Sequence, residues 1–256
     1  MDRIPVAFVD SVAHALSDDN LLHLCFVNFW RTCEKHSRKC DLWRKVGERH
    51  YKKRKNYELK VVVNDEALSV EVQGELAEDS KHSTLTEFSK LINPFTRISR
   101  VTMFTNFEGF EELACQKTQL QRVLELFQNQ TIDEIYVSKF FELSNFSFTR
   151  FLWKRPVHDI GFSSLSFTDE FVAYHILENE SLKQVFVTDT TYTFMCKLIK
   201  SWKDELKLEF CSERDSEGKS FSDLRDLGFE KTDSLSVSRC SVVRKSGRSL
   251  KFYAFK

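Results

Sequence analysis

Apolar positions between residues 4 and 46 recur at helical spacing. Phe8, Val9, Val12, Ala13 and Leu16 follow one another at one-, three- and four-residue steps, which predicts one apolar face of a helix with Pro5 tolerated near its start. Leu16-Ser17-Asp18-Asp19-Asn20 interrupts that helix. Ser17 or Asp18 then caps a second predicted helix, which carries Leu21, Leu22, Leu24, Cys25 and Val27 into Phe29, Trp30 and Cys33. A third apolar point follows at Leu42-Trp43. From Tyr57 the period drops to two. Tyr57, Leu59, Val61 and Val63, the turn residues Asn64-Asp65, then Leu68, Val70 and Val72 before Gly74 predict a β-hairpin. Residues 75–86 are polar and read as a loop. The change of period places a domain boundary near residues 47–56, giving a helical module over 1–47 and a β-containing domain over 57–256.

A repeat runs through the second part. The β-type stretches 133–137, 158–162 and 183–187 are spaced by 25 residues, with Ile135, Ile160 and Val185 in equivalent places. Eleven residues after each comes Phe146, Phe171 or Cys196; seventeen after comes Leu152, Leu177 or Trp202. A further strand-like stretch covers 207–211, and an earlier one, 100–104, is followed by the helical pattern Leu120, Val123, Leu124, Phe127. A strand and a helix repeating at this interval predict an α+β or α/β protein with leucine-rich-repeat-like βα units, each completing the core of its neighbour. The alternative is an ordinary α/β sheet with βα units of similar length. Residues 235–243 and 249–255, joined around Ser246-Gly247, predict a closing hairpin.

Composition narrows the class. The chain has 256 residues, 38 basic and 38 acidic, with 24 Phe and 13% aromatics, which fits a folded protein and not a disordered one. Asp2 and Asp10 interrupt the start in a way a signal peptide does not, and no apolar stretch is long enough to cross a bilayer, so the expected location is intracellular, cytoplasmic or nuclear, without membrane contact. The 7 scattered cysteines contain no Cys-x-x-Cys pair and read as reduced thiols. Phosphate loops, dinucleotide turns, nucleophile elbows and metalloprotease helices are all missing from the sequence, so neither an enzyme nor a cofactor is expected. His23, Cys25, Cys33, His36 and Cys40 fall near one another but match no familiar zinc spacing, and no metal site is assigned. Charge is uneven: residues 31–60 hold 12 bases and 4 acids within a chain of zero net charge. Lys52, Lys53, Arg54 and Lys55 close that run and form a candidate patch for an acidic partner or nuclear import; nucleic acid is a secondary reading, because the rest of the chain is mildly acidic.

The helical module resembles an F-box. Ile4-Pro5, Leu16, Ser17-Asp18-Asp19, Leu21-Leu22-x-Leu24, Val27-x-x-Trp30 and Leu42-Trp43-Arg44 stand in the family's order and at similar spacing. The start Met-Asp-x-Ile-Pro-x-x-Phe, with His50 seven residues after Trp43 and then Lys53-Arg54, is similar to a large nematode-expanded group of F-box-like proteins with divergent C-terminal regions. The resemblance implies a substrate-recognition subunit of a Skp-cullin-F-box ubiquitin ligase. Ile4, Pro5, Phe8, Leu16, Leu21, Leu24 and Val27 would dock on the Skp-type adaptor, and the C-terminal domain would hold a target protein. Such a chain acts by proximity and performs no bond chemistry itself. The alternative is an interaction protein, or a nucleic-acid-contacting one, in which the helical segment is only a cap.

Overall fold

The computed structural model describes residues 6–16, 37–64, 67–74, 83–105, 113–138, 141–163, 168–182, 184–188, 207–212, 230–233, 237–243 and 249–255. They form a mixed α/β fold on a 12-stranded sheet. Two helices come first, α1 (Val6–Ala15) and α2 (Ser37–Lys53). The hairpin follows as β1 (Lys55–Asn64) and β2 (Ala67–Gly74), antiparallel, with Val61 opposite Val70. The strands β4 (Thr96–Phe104), β6 (Ile132–Val137), β7 (Val157–Ser163), β8 (Gln184–Thr188), β9 (Lys207–Ser212) and β12 (Ser249–Phe255) then add to β1 in chain order, each parallel to the one before. Antiparallel strands close both sides: β2 with the two-residue β3 (Ser83–Thr84) and β5 (Ala114–Cys115), and β12 with β11 (Val237–Val243) and β10 (Glu230–Asp233). The closing hairpin expected over 235–255 is thus present, with Cys240 opposite Phe252.

Alternation sorts the two faces of this sheet. Leu59 pairs with Val101, Val101 with Ile135, Ile135 with Ile160, Ile160 with Val185 and Val185 with Leu208, so the 25-residue step keeps equivalent residues in lateral register. The side chains of Leu59, Val101, Ile135, Ile160 and Val185, with those of Val61, Met103, Val137 and Phe162, are buried in one core. The same core takes α3 (Leu85–Leu91) through Leu85 and Phe88, α4 (Lys117–Glu125) through Leu120, Val123 and Leu124, α5 (Asn145–Phe148) through Phe146, α6 (Arg150–Trp153) through Leu152 and Trp153, and α7 (Asp169–Ala173) through Phe171. All of these helices therefore contribute side chains to this one core. The stretch expected as loop over 75–86 needs correction at its end. Thr84 accepts a hydrogen bond from the Glu87 amide while Glu87 accepts one from the Thr84 amide, a capping box that starts α3 at Leu85.

Polar side chains ahead of the strands tie one βα unit to its predecessor. The Gln130 amide donates to the Thr96 carbonyl at 3.3 Å, Arg155 to the carbonyls of Leu124 and Phe127 at 3.3 and 2.9 Å, and Asn179 to the Val157 carbonyl at 2.9 Å. Carbonyls at the ends of elements would otherwise be buried without partners. Phe146 and Phe171 occupy equivalent places of the repeat and touch edge to face at 5.4 Å; Phe171 also meets Trp153 at 5.4 Å and Phe162 at 5.6 Å.

His175, in the π-helical turn Tyr174–Glu178 that extends α7, completes this aromatic cluster at 4.7 Å from Phe171 and is fully buried. Burial pushes its pKa down to about 3, with the Trp153 backbone opposing the shift. The folded protein therefore keeps His175 neutral in a range where the unfolded chain, with an ordinary histidine pKa of 6.5, takes up a proton. Stability from this group is complete above that ordinary value and is lost as pH falls toward 3, by about 1.4 kcal/mol per pH unit. Urea unfolding of the wild type between pH 7 and 4.5 should accordingly weaken more steeply than that of His175→Phe. Parallel pH profiles for the two proteins would refute the buried neutral imidazole.

Candidate functional site

The helical pair α1–α2 presents the first candidate surface. Val9 and Ala13 sit one turn apart on α1 and pack on Val46 of α2, with Leu16, Leu42 and Trp43 half-buried around them. Phe8 lies one position off that stripe. It is 55% exposed and touches Trp43 only edge to face, 6.4 Å between centroids. Among the residues expected at an adaptor interface, Phe8 and Leu16 thus belong to one helix, Phe8 outward and Leu16 against the small core. Ile4, Pro5, Leu21, Leu24 and Val27 lie outside the described residues.

The far end of α1 is fixed to the sheet by two arginines. Arg54, the single residue between α2 and β1, donates to the carbonyls of Ala13 and Leu16, both at 2.7 Å. Arg97 of β4 donates to the same Leu16 carbonyl at 2.7 Å, to the Thr131 carbonyl at 2.9 Å and to the Asp133 carboxylate at 2.7 Å, while its side chain is 1% exposed. Two guanidinium groups thereby complement the negative end of α1. His158 of β7 reaches Asp133 at 3.3 Å. A second tie joins the helices: Asp10 accepts from Arg49 and contacts Nε2 of buried His50 at 2.9 Å. Burial raises the pKa of Asp10, but the hydrogen bond from His50 and the charge of Arg49 outweigh it and hold the carboxyl below its usual value. Burial also lowers the pKa of His50, against the pull of Asp10.

The basic patch is divided by this arrangement. Arg54 is consumed in capping α1, and the Lys53 ammonium sits over the Phe95 ring at 5.4 Å, whereas Lys52, Lys53 and Lys55 are exposed. The boundary expected near 47–56 coincides with the last turns of α2 and with Arg54. The helix continues there because Leu42, Val46 and His50 recur every four residues on a buried or half-buried stripe, so the charges of the run occupy its other faces.

The face of the sheet opposite the described helices α3–α7 is the second candidate surface. Its outward residues form cross-strand pairs: Lys60 with Gln73 at 2.8 Å, Thr102 with Glu58 at 2.6 Å, and Arg100 with Glu134 at 2.7 Å. Tyr136, Gly161 and Phe186 are laterally aligned across β6, β7 and β8. The Tyr136 ring lies so close over Gly161 that a Cβ there would stand 2.7 Å from it, which makes glycine the residue this position requires. Sequence reading missed this contact of Tyr136 with Gly161, although the alternation that sends Ile135 and Val137 inward sends Tyr136 outward. Among the described residues no cluster of metal-ligating side chains occurs, and no helix is long and apolar enough to cross a membrane.

No family model matches the chain, and neither a curated protein nor a solved structure matches it.

Removing the Arg97 side chain should take a donor from the Thr131 carbonyl and from Asp133 and leave the Leu16 carbonyl to Arg54 alone. Arg97→Ala is expected to cost roughly 1–3 kcal/mol in urea unfolding, since Asp133 is partly solvated and keeps some hydration. Arg97→Lys should recover little of this, because one ammonium cannot span the same fork. Hydrogen exchange of the α1 amides should accelerate more than that of β7; equal protection in the variant would rule out the anchoring role.

Proposed function

We propose that this protein is a non-enzymatic substrate-recognition adaptor of the Skp-cullin-F-box type. The observation that carries the reading is Phe8, a large aromatic left 55% exposed on α1 beside Trp43, at a position the F-box resemblance assigns to adaptor contact. Exposed aromatics rimmed by polar residues are the usual anchors of protein interfaces. The remaining interface would be supplied by Ile4, Pro5, Leu16, Leu21, Leu24 and Val27. In this reading the βα part is a leucine-rich-repeat-like target-binding domain, supported by parallel strands that follow chain order and by the register of the 25-residue step. Ubiquitin transfer would be carried out by other subunits, with this chain holding target and ligase together.

The test is co-purification of the full chain with a Skp-type adaptor. Phe8→Asp should weaken binding by about tenfold or more, as loss of one aromatic anchor does, while its urea midpoint stays at the wild-type value. Tyr51→Asp, which alters an aromatic 45% exposed on α2, should leave binding intact. A well-folded full chain that retains no adaptor would overturn the ligase reading.

A further inference from the structure

On the helical side, α4 and the α5–α6 pair of the next βα unit do not close against each other. Between them lies an open groove of about 400 Å³ lined by Lys117, Gln121, Phe148, Arg150, Phe151 and Lys154, with the Ser147 hydroxyl at its edge. Its volume falls within the roughly 300–1,000 Å³ common for binding sites. The lining alternates cation and ring. The Lys117 ammonium stands 4.2 Å above the centre of Phe148 and 5.4 Å from that of Phe151, and Lys154 stands 5.4 Å from Tyr174. Phe148 and Phe151 are only partly buried, so the floor of the groove is apolar and reachable. Arg150 pairs with Glu170 at the margin. Among the described residues, Lys117 and Lys154 have no carboxylate partner.

We propose that this groove binds an acidic peptide segment of a partner protein, with its carboxylates against Lys117, Lys154 and the edge of Arg150 and an aromatic or aliphatic side chain on Phe148 and Phe151. Charge complementarity selects the occupant. Cations already poised over rings lose little freedom on meeting a carboxylate, and the low-lying apolar floor rewards a side chain between two acids. A nucleic-acid strand fits less well. Tracking a phosphate backbone takes an extended basic surface, whereas here one of three cations is already neutralised and the chain as a whole carries no net charge. The groove shares no residue with α1–α2, so the proposal stands apart from adaptor docking.

Fluorescence anisotropy of the full chain against a fluorescein-labelled peptide with the core Asp-Glu-Phe-Asp-Glu tests it, beside the same peptide with Ala for Phe and a labelled oligo-dT strand. The acidic aromatic peptide should bind saturably and weaken with salt. Lys117→Glu with Lys154→Glu should weaken it by about tenfold or more, and the Ala peptide should bind less tightly to the wild type. Lys45→Glu with Lys90→Glu, a remote pair outside the groove with an equal change of charge, should leave affinity unchanged. Should the reversed pair alter the urea midpoint, Lys117→Gln with Lys154→Gln gives the same comparison with smaller perturbation. Absence of saturable peptide binding, equal weakening by the remote pair, or tighter binding of oligo-dT would each overturn the proposal. No adaptor is present in this titration, so its failure is separate from a failed co-purification.

Discussion

A guanidinium removed from water must find acceptors, and the placement of Arg97 makes two distant parts of the chain supply them. Its strand, β4, brings it beneath the end of α1 and beside the turn into β6, where the Leu16 and Thr131 carbonyls and Asp133 converge on it. Such a group contributes little net energy when satisfied, but sliding α1 away would strand the cation and a helix-end carbonyl together. Arg54 repeats the constraint from the other direction, from the residue where α2 becomes β1. Among the described residues of the helical pair the buried apolar core is Val9, Ala13 and Val46, and these polar contacts act beside it to hold α1 on the sheet.

How far the sequence foretold this depends on whether a feature is periodic. Ile135, Ile160 and Val185 could be aligned by counting, because a solvent-shielded face demands the same residue class at the same step, and those residues do pair laterally. The hairpins were legible for the same reason. Single-residue contacts across long separations were not. Arg97 reads as one more base in a charged chain, and only the fold shows that its partner carbonyl is 81 residues away. Phe8 looked equivalent to Val9 at the level of spacing, yet one residue's rotation about the helix axis moves it from core to solvent. The Thr84–Glu87 box could have been read from its Thr-x-x-Glu spacing, but the surrounding polar stretch hid it.

The two faces of the sheet are organised by different chemistry. One face is continuous apolar core, in which Phe146, Trp153, Phe162 and Phe171 lock adjacent units edge to face. On the other, Glu58 and Thr102, and Arg100 and Glu134, satisfy one another strand to strand. Helices of only four residues, α5 and α6, cover their part of the core without filling the space next to α4. The groove is therefore a consequence of unequal helix lengths between successive units: α4 has 9 residues and α5 and α6 have 4 each.

This division bears on how one chain could serve the adaptor and the acidic segment proposed above. An adaptor surface works only if its apolar groups stay exposed before docking, yet exposure weakens the module that carries them. Placing Phe8 outward while α1 is held at its opposite end by Arg54 and Arg97 resolves the conflict, since the anchor draws on buried polar contacts and leaves the aromatic unused. The groove between α4 and α5–α6 obeys the same logic. Lys117 and Lys154 rest on aromatic rings instead of on carboxylates, so their charge stays available without destabilising the helices beneath them. In both places the outermost groups, Phe8 on one side and Lys117 and Lys154 on the other, lie outside the buried core, which lets them change without loss of the fold.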